Sequence, residues 1–302
     1  MSYRLANIEG RAALVLGEYY YDLETVSNGA ITSDPMAALS FTSDLSKIYS
    51  GLADLAPTGR LADAVLGAPV PHPSSVFTVG LNYRKTALDS KTPIPEVPMI
   101  VAKFPSCIVG PDCNLDMRSD YSDFEAELVV AIGQGGKNIS VDDAWNHVAG
   151  LCVGQDFSDR AVQFSSTPPQ FDLGKSFDTF GPIGPVLVSP DALEDRNSLA
   201  LECEINGEIR QKDNTDDLIF DVPTLVSYLS HLVTLKTGDL IFTGTPAGIG
   251  AAEGRFLRDG DVITTTIEGL GSIVNKCVRG IDHPHAAFVP EIFKSKMSAA
   301  KK

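Results

Sequence analysis

Short apolar runs, each closed within a few residues by Gly, Pro, Asn or Asp, recur along most of the chain, which is the pattern of a β-rich protein. Stretches 3–8, 12–15 and 19–23 read as a meander of short strands, with a turn at Glu9-Gly10-Arg11 and a bend at Gly17. Leu39, Leu45, Ile48, Leu52 and Leu55 follow helical spacing until Pro57-Thr58-Gly59 interrupts them. Pro69, Pro71 and Pro73 form a stiff connector, because proline continues neither a helix nor a central strand. The expected organisation is a small amino-terminal module over 1–70, a main domain over 71–282 and a solvated tail over 283–302. Within the main domain, 76–80, 128–132, 148–153 and 199–205 read as strands, as does the run that begins at Leu240 and ends in a glycine-rich loop, and 222–235 reads as a helix. Asn206-Gly207 between two alternating runs is a strong hairpin signal. The fold class expected is α+β, predominantly β.

Composition narrows the setting. Against 24 Lys and Arg stand 39 Asp and Glu, a net charge of −15, so a nucleic-acid surface is not expected. Five cysteines contain no CxxC pair, which argues against a zinc site or a disulfide framework and for a reduced, cytoplasmic setting. The longest apolar patch near the amino terminus, 12–16, is too short for a membrane span.

The chemistry centres on Glu125 and Glu127, at the mouth of the apolar run 128–132. Strand residues i and i+2 share a face, so these two carboxylates point the same way and repel. A cation or a shared proton makes the pair tolerable, and an oxygen-only site suits Mg²⁺ or Mn²⁺. The plainer alternative is one glutamate solvated at a strand edge. Asp156, emerging from the neighbouring strand, is the candidate third ligand, or else a helix cap. Asp159 and Arg160 read as a local ion pair. Lys175, on the constrained Gly174-to-Pro185 backbone, is either a fixed positive charge beside an anionic substrate or an ordinary exposed lysine. Thr245 sits in a glycine-rich loop able to meet a carboxylate or enolate oxygen. Tyr83 and Arg84, directly after a strand, are candidate substrate-binding residues or caps of the next helix, and Gln163 is a further binding candidate. The proline-rich segment 92–98 reads as a lid or a spacer.

Taken together, Gly80-Leu81-Asn82-Tyr83, Glu125-x-Glu127, the block 155–161, Gly174-Lys175-Ser176-Phe177-Asp178 and Thr243-Gly244-Thr245-Pro246 resemble the catalytic domain of the fumarylacetoacetate hydrolase family, over about residues 72–280. The resemblance implies a mixed β-roll, a homodimer, and Mg²⁺ or Mn²⁺ held by Glu125, Glu127 and Asp156, with Lys175 and Thr245 contacting substrate. Its departures are specific. Thr86 and Asp89 stand where hydrolytic members place a histidine and a glutamate, and Gln155, Asp159 and Ala161 alter the third-ligand block. Asp89 is the candidate replacement base. The activity implied is metal-dependent cleavage of a C–C bond in an acylpyruvate-type diketo acid or β-diketone, in a catabolic role. The alternatives are a 2-oxo-acid decarboxylase, isomerase or hydratase acting on an oxaloacetate-like substrate, or a silent binding paralogue.

Overall fold

The structure, a computed structural model, describes residues 2–89 and 92–279. The tail expected over 283–302 lies outside the described residues, as does the Asp89 side chain. The molecule is mostly β. A twelve-stranded mixed sheet holds the apolar runs, and a five-stranded sheet packs against part of it.

The amino-terminal meander is present as Arg4–Ile8, Arg11–Leu16 and Tyr19–Asp22, paired antiparallel in sequence. Its first strand also pairs with Gly181–Val188, through Arg4↔Val188 and Leu5↔Leu187. Tyr3 reinforces the seam. Its hydroxyl donates to Ala149 O at 2.5 Å, and its backbone exchanges hydrogen bonds with Ser189. Residues 2–70 and the described part of the main domain therefore share one sheet and one core.

The apolar spacing after residue 34 resolves into short helices, Pro35–Ala38 and Thr42–Ser50, because Asp34 and Pro35 start one turn and Gly51 stops the next. Asn206 and Gly207 both have positive φ, 53° and 78°, as a two-residue hairpin turn with the favoured twist requires. The helix Val222–Leu232 begins where the Asp221 side chain accepts from Thr224 N at 3.0 Å.

Two strands position the site. Ala126–Ile132 and Val148–Gln155, buried along their whole lengths, pair antiparallel with Ala126↔Gln155 and Glu127↔Gly154. Continuing this register by one residue sets Asp156 opposite Glu125, and Asp156 N donates to Glu125 O at 2.9 Å. Among the described residues, no helix is long and apolar enough to cross a membrane.

Candidate metal centre and active-site cavity

Carboxylate oxygens of Glu125, Glu127 and Asp156 lie within 4.8 Å of one another, and all three residues are buried. Each is held differently. Glu125 Oε1 accepts from Arg160 Nη2 at 2.5 Å and Oε2 from Lys175 Nζ at 2.7 Å. Asp156 accepts from Lys103 Nζ at 2.8 Å, Lys175 Nζ at 2.6 Å and Thr78 Oγ1 at 2.6 Å. Glu127 takes one backbone donor, Gly244 N at 2.6 Å, and has no ionic partner among the described residues.

The electrostatics follow from these contacts. Burial alone would raise the Asp156 carboxyl, but Lys103 and Lys175 outweigh it and hold the group at about 2. Glu127 goes the other way. Burial, then the charges of Asp156 and Glu125, push it well above the usual carboxylate range. Burial pulls Lys175 down, yet Asp156 and Glu125 prevail and keep it an ammonium. Arg160 is likewise desolvated but held charged by Glu125 and Asp123.

The donor set fits a hard divalent cation: three close carboxylates, oxygen only, with Glu127 in no ion pair among the described residues. Lys103, Lys175 and Arg160 are already committed to Asp123, Glu125 and Asp156. A cation at this cluster would satisfy Glu127.

The second sheet supports the cluster through two glutamines. Gln155 Oε1 accepts from Glu125 N at 2.9 Å, while its Nε2 reaches Thr265 Oγ1 at 2.8 Å across the sheet interface. Gln211 accepts from Ala126 N at 3.0 Å and donates to Thr245 Oγ1 at 2.8 Å. The departure at position 155 is thus accommodated by a longer side chain that spans two sheets.

Glu127 depends on one backbone position. Gly244 has φ of 104°, and a Cβ there would lie 2.8 Å from Asn82 Cβ and 2.9 Å from Val79 O. Asn82 pins the same loop, donating from Nδ2 to Thr243 O at 2.7 Å and Phe220 O at 3.0 Å. Gly244→Ala is therefore expected to pull the amide from Glu127 and weaken divalent-cation affinity by about 10–100-fold, the usual cost of losing a group that orients a ligand. Calorimetric titration with Mn²⁺ checks it; unchanged affinity would show that this amide does not orient Glu127.

The sequence-level candidates divide. A cavity of about 680 Å³ opens over the cluster, and Glu125, Arg160, Lys175 and Thr245 line it, with Thr78 and Thr86. Lys175 is buried, so the exposed-lysine alternative falls. Tyr83 does not line the cavity. It is fully buried, and its hydroxyl has no hydrogen-bond partner among the described residues. Arg84 is exposed on the helix Arg84–Asp89 and is not in the wall either. Gln163 lies one layer behind, accepting from Arg160 Nη1 at 3.0 Å, and its buried Nε2 has no partner among the described residues. The expected Asp159–Arg160 pair is replaced by another arrangement. Arg160 turns to Asp123 and Glu125, while Asp159 accepts from Ser119 Oγ at 2.6 Å and caps Arg160–Gln163 through Val162 N. Asp156 does not cap a helix; Asp159 does.

Two residues escaped the sequence reading. Lys103 ends the strand Met99–Lys103 with a buried ammonium that also donates to Lys175 O and to Phe180 O. Asp123 accepts from Arg160 Nε at 2.8 Å and from the amides of Gly250 and Ala251 at 2.6 and 2.9 Å. A lone lysine closing the apolar run 99–102 was the available signal for the first.

A mixed β-fold around a buried carboxylate triad, roofed by a cavity with fixed cations at its base, defines an enzyme with a site for a divalent cation. The comparisons name its family. Residues 75–278 match the model described as fumarylacetoacetate (FAA) hydrolase C-terminal, and the chain belongs to the fumarylacetoacetate hydrolase family. It is 37% identical over 286 residues to the human protein named oxaloacetate tautomerase FAHD2A, mitochondrial, covering 90% of this chain and 91% of that one. Among solved structures it resembles fumarylacetoacetate hydrolase from Exiguobacterium antarcticum, at TM-score 0.79 and 32% identity over 93% of this chain and 100% of the other. Maleylpyruvate hydrolase from Sphingobium sp. SYK-6, in complex with manganese(II) ion and pyruvate, gives TM-score 0.77 and 28% identity over 92% and 99% of the two chains.

Proposed function

We propose that this enzyme interconverts the enol and keto forms of a small 2-oxo acid, with a divalent cation, Mg²⁺ or Mn²⁺, at Glu125, Glu127 and Asp156. The observation that carries the reading is the cavity base itself. It offers fixed positive charge at Lys175 and Arg160, and among the described residues no histidine lines the wall to activate water. That equipment suits stabilising an enolate more than hydrolysing a C–C bond, and the likeness to the human oxaloacetate tautomerase supports it. The isomerase alternative thereby displaces C–C hydrolysis as the leading reading.

Bound at the triad, the cation supplies Lewis-acid charge against the enolate oxygen. Lys175 holds a proton at Nζ at the cavity base, where it would lend an enolate oxygen a second positive charge. Glu125 and Asp156 fix the direction of that ammonium. The helix Arg84–Asp89 brings Thr86 to the wall, and Asp89, three residues on, is proposed to carry the proton to and from the carbon beside the ketone.

The test follows the enol absorbance of oxaloacetate, with Mg²⁺ or Mn²⁺ against a chelator, beside pyruvate release from an acylpyruvate. Chelator-sensitive acceleration of ketonisation without acylpyruvate cleavage is expected. Pyruvate release with no effect on ketonisation would return the assignment to hydrolysis, and an Asp89→Asn variant at full rate would remove Asp89 from the reaction.

A further inference from the structure

The charged groups of the described cavity wall are Glu125, Arg160 and Lys175; its other lining is apolar side chains, glycines and threonines. Strands Val76–Gly80 and Met99–Lys103 pair antiparallel, with Val76↔Lys103, Thr78↔Val101 and Gly80↔Met99. Residues directly opposite across such a pair share a face, and so do alternate residues along each strand. One face therefore carries Lys103, Val101 and Met99 in order, with Thr78 and Gly80 beside them. Lys103 and Thr78 bond Asp156 at the base. At about 3.4 Å per residue, Val101 stands about 7 Å and Met99 about 14 Å further along the wall. Leu81, Phe171 and Ile249 also line the cavity.

Charge agrees with shape. Arg160 and Lys175 are the cations in the wall among the described residues, and both are spent on carboxylates. Arg160 donates from all three nitrogens, to Asp123, Gln163 and Glu125. Nothing positive in the described upper wall awaits a second carboxylate, and the partly buried Val101 and Phe171 would cost one some of its water without return, whereas an apolar group gains from covering them and the half-exposed Met99. About 680 Å³ is also a volume that encloses a drug-sized ligand, far more than a four-carbon acid fills.

We infer that the preferred substrate is a 2-oxo acid whose far end is uncharged and apolar, an aryl or branched alkyl group, with Val101 and Met99 as the residues that select it. The inference rests on the isomerase reading above. The reaction is balanced within the substrate: the enol O–H breaks, the C=C bond becomes single as C–O becomes C=O, and the adjacent carbon gains a proton. No oxidant or co-reactant is needed.

The experiment compares kcat/KM for ketonisation of enol-phenylpyruvate and enol-oxaloacetate by the metal-loaded protein. Phenylpyruvate is expected to lead by about tenfold or more, the discrimination an apolar pocket commonly gives. Met99→Ala should lower the phenylpyruvate-to-oxaloacetate ratio about tenfold, and Val101→Lys should invert it, with thermal melting confirming that both variants fold. A parent that favours oxaloacetate, or a Met99→Ala variant with an unchanged ratio, would overturn the inference and leave the isomerase reading standing. Failure to ketonise either acid would withdraw both.

Discussion

Lys175→Met is expected to cut kcat by about 10²–10³-fold, the cost of deleting a preorganised donor from a developing oxyanion, while leaving cation affinity intact or raised. The split follows from the contacts. The Lys175 ammonium lies between Glu125 and Asp156, 2.7 and 2.6 Å from their oxygens, and also 3.0 Å from Ser158 Oγ. Removing it takes a positive charge from the reacting end and leaves the triad more negative, which favours a divalent ion. Stopped-flow ketonisation and Mn²⁺ titration on the same preparation measure the two effects. If affinity and kcat fell together, Lys175 would be a scaffold for the triad and not a participant.

Lys103→Met should strike stability instead. Its ammonium is fully buried, bonds Asp156 at 2.8 Å, and ties Lys175 O to Phe180 O, so the variant strands a buried carboxylate and two carbonyls. Breaking such a pair from one side costs about 3–5 kcal/mol, a fall in melting temperature on the order of 10 °C. The pH dependence changes too. With its folded value lowered from 3.8 to about 2, Asp156 adds stability that is fully present above the unfolded value and is lost as pH falls through the folded one. Without Lys103 the folded value rises toward the unfolded one, so acid unfolding of the variant should begin at higher pH. Circular dichroism across an acid titration reads both changes. A melting temperature within a degree or two of the parent would show that Asp156 is adequately held by Lys175 and Thr78.

The carboxylate triad was legible because its geometry is local to two strands. A two-residue period puts Glu125 and Glu127 together, and an apolar run ending at Asp156 announces a partner strand. The register that joins them is a backbone property. What the sequence hid are the cations that make the triad tolerable. Lys103 and Arg160 meet these acids across 53 and 35 residues, and a lysine at a strand end reads like any solvated edge charge. Tyr83 misled for the opposite reason. A polar residue after a strand suggests a binding loop, yet the chain turns it inward to zero exposure, leaving the neighbouring Thr86 in the wall. The helical spacing after residue 34 marked the apolar contacts of Leu39, Leu45, Ile48 and Leu52 but not the exposure of Leu55, and it could not say that Pro35 and Gly51 would chop the segment into short pieces.

The seam between the amino-terminal strand and Gly181–Val188 bears on the order in which the protein can be built. Arg4 pairs with Val188 and Tyr3 with Ser189, so the first strand leaves the ribosome long before its partner exists. At 5–20 residues per second, that wait is roughly 10–40 s. Throughout it the meander can pair only with itself, its outer edge open to any other nascent chain. Closure of the large sheet is then a late event that joins both ends of most of the chain at once, and high contact order makes it slow. A cell making this enzyme thus has reason to keep a chaperone near its amino terminus until residue 188 has emerged.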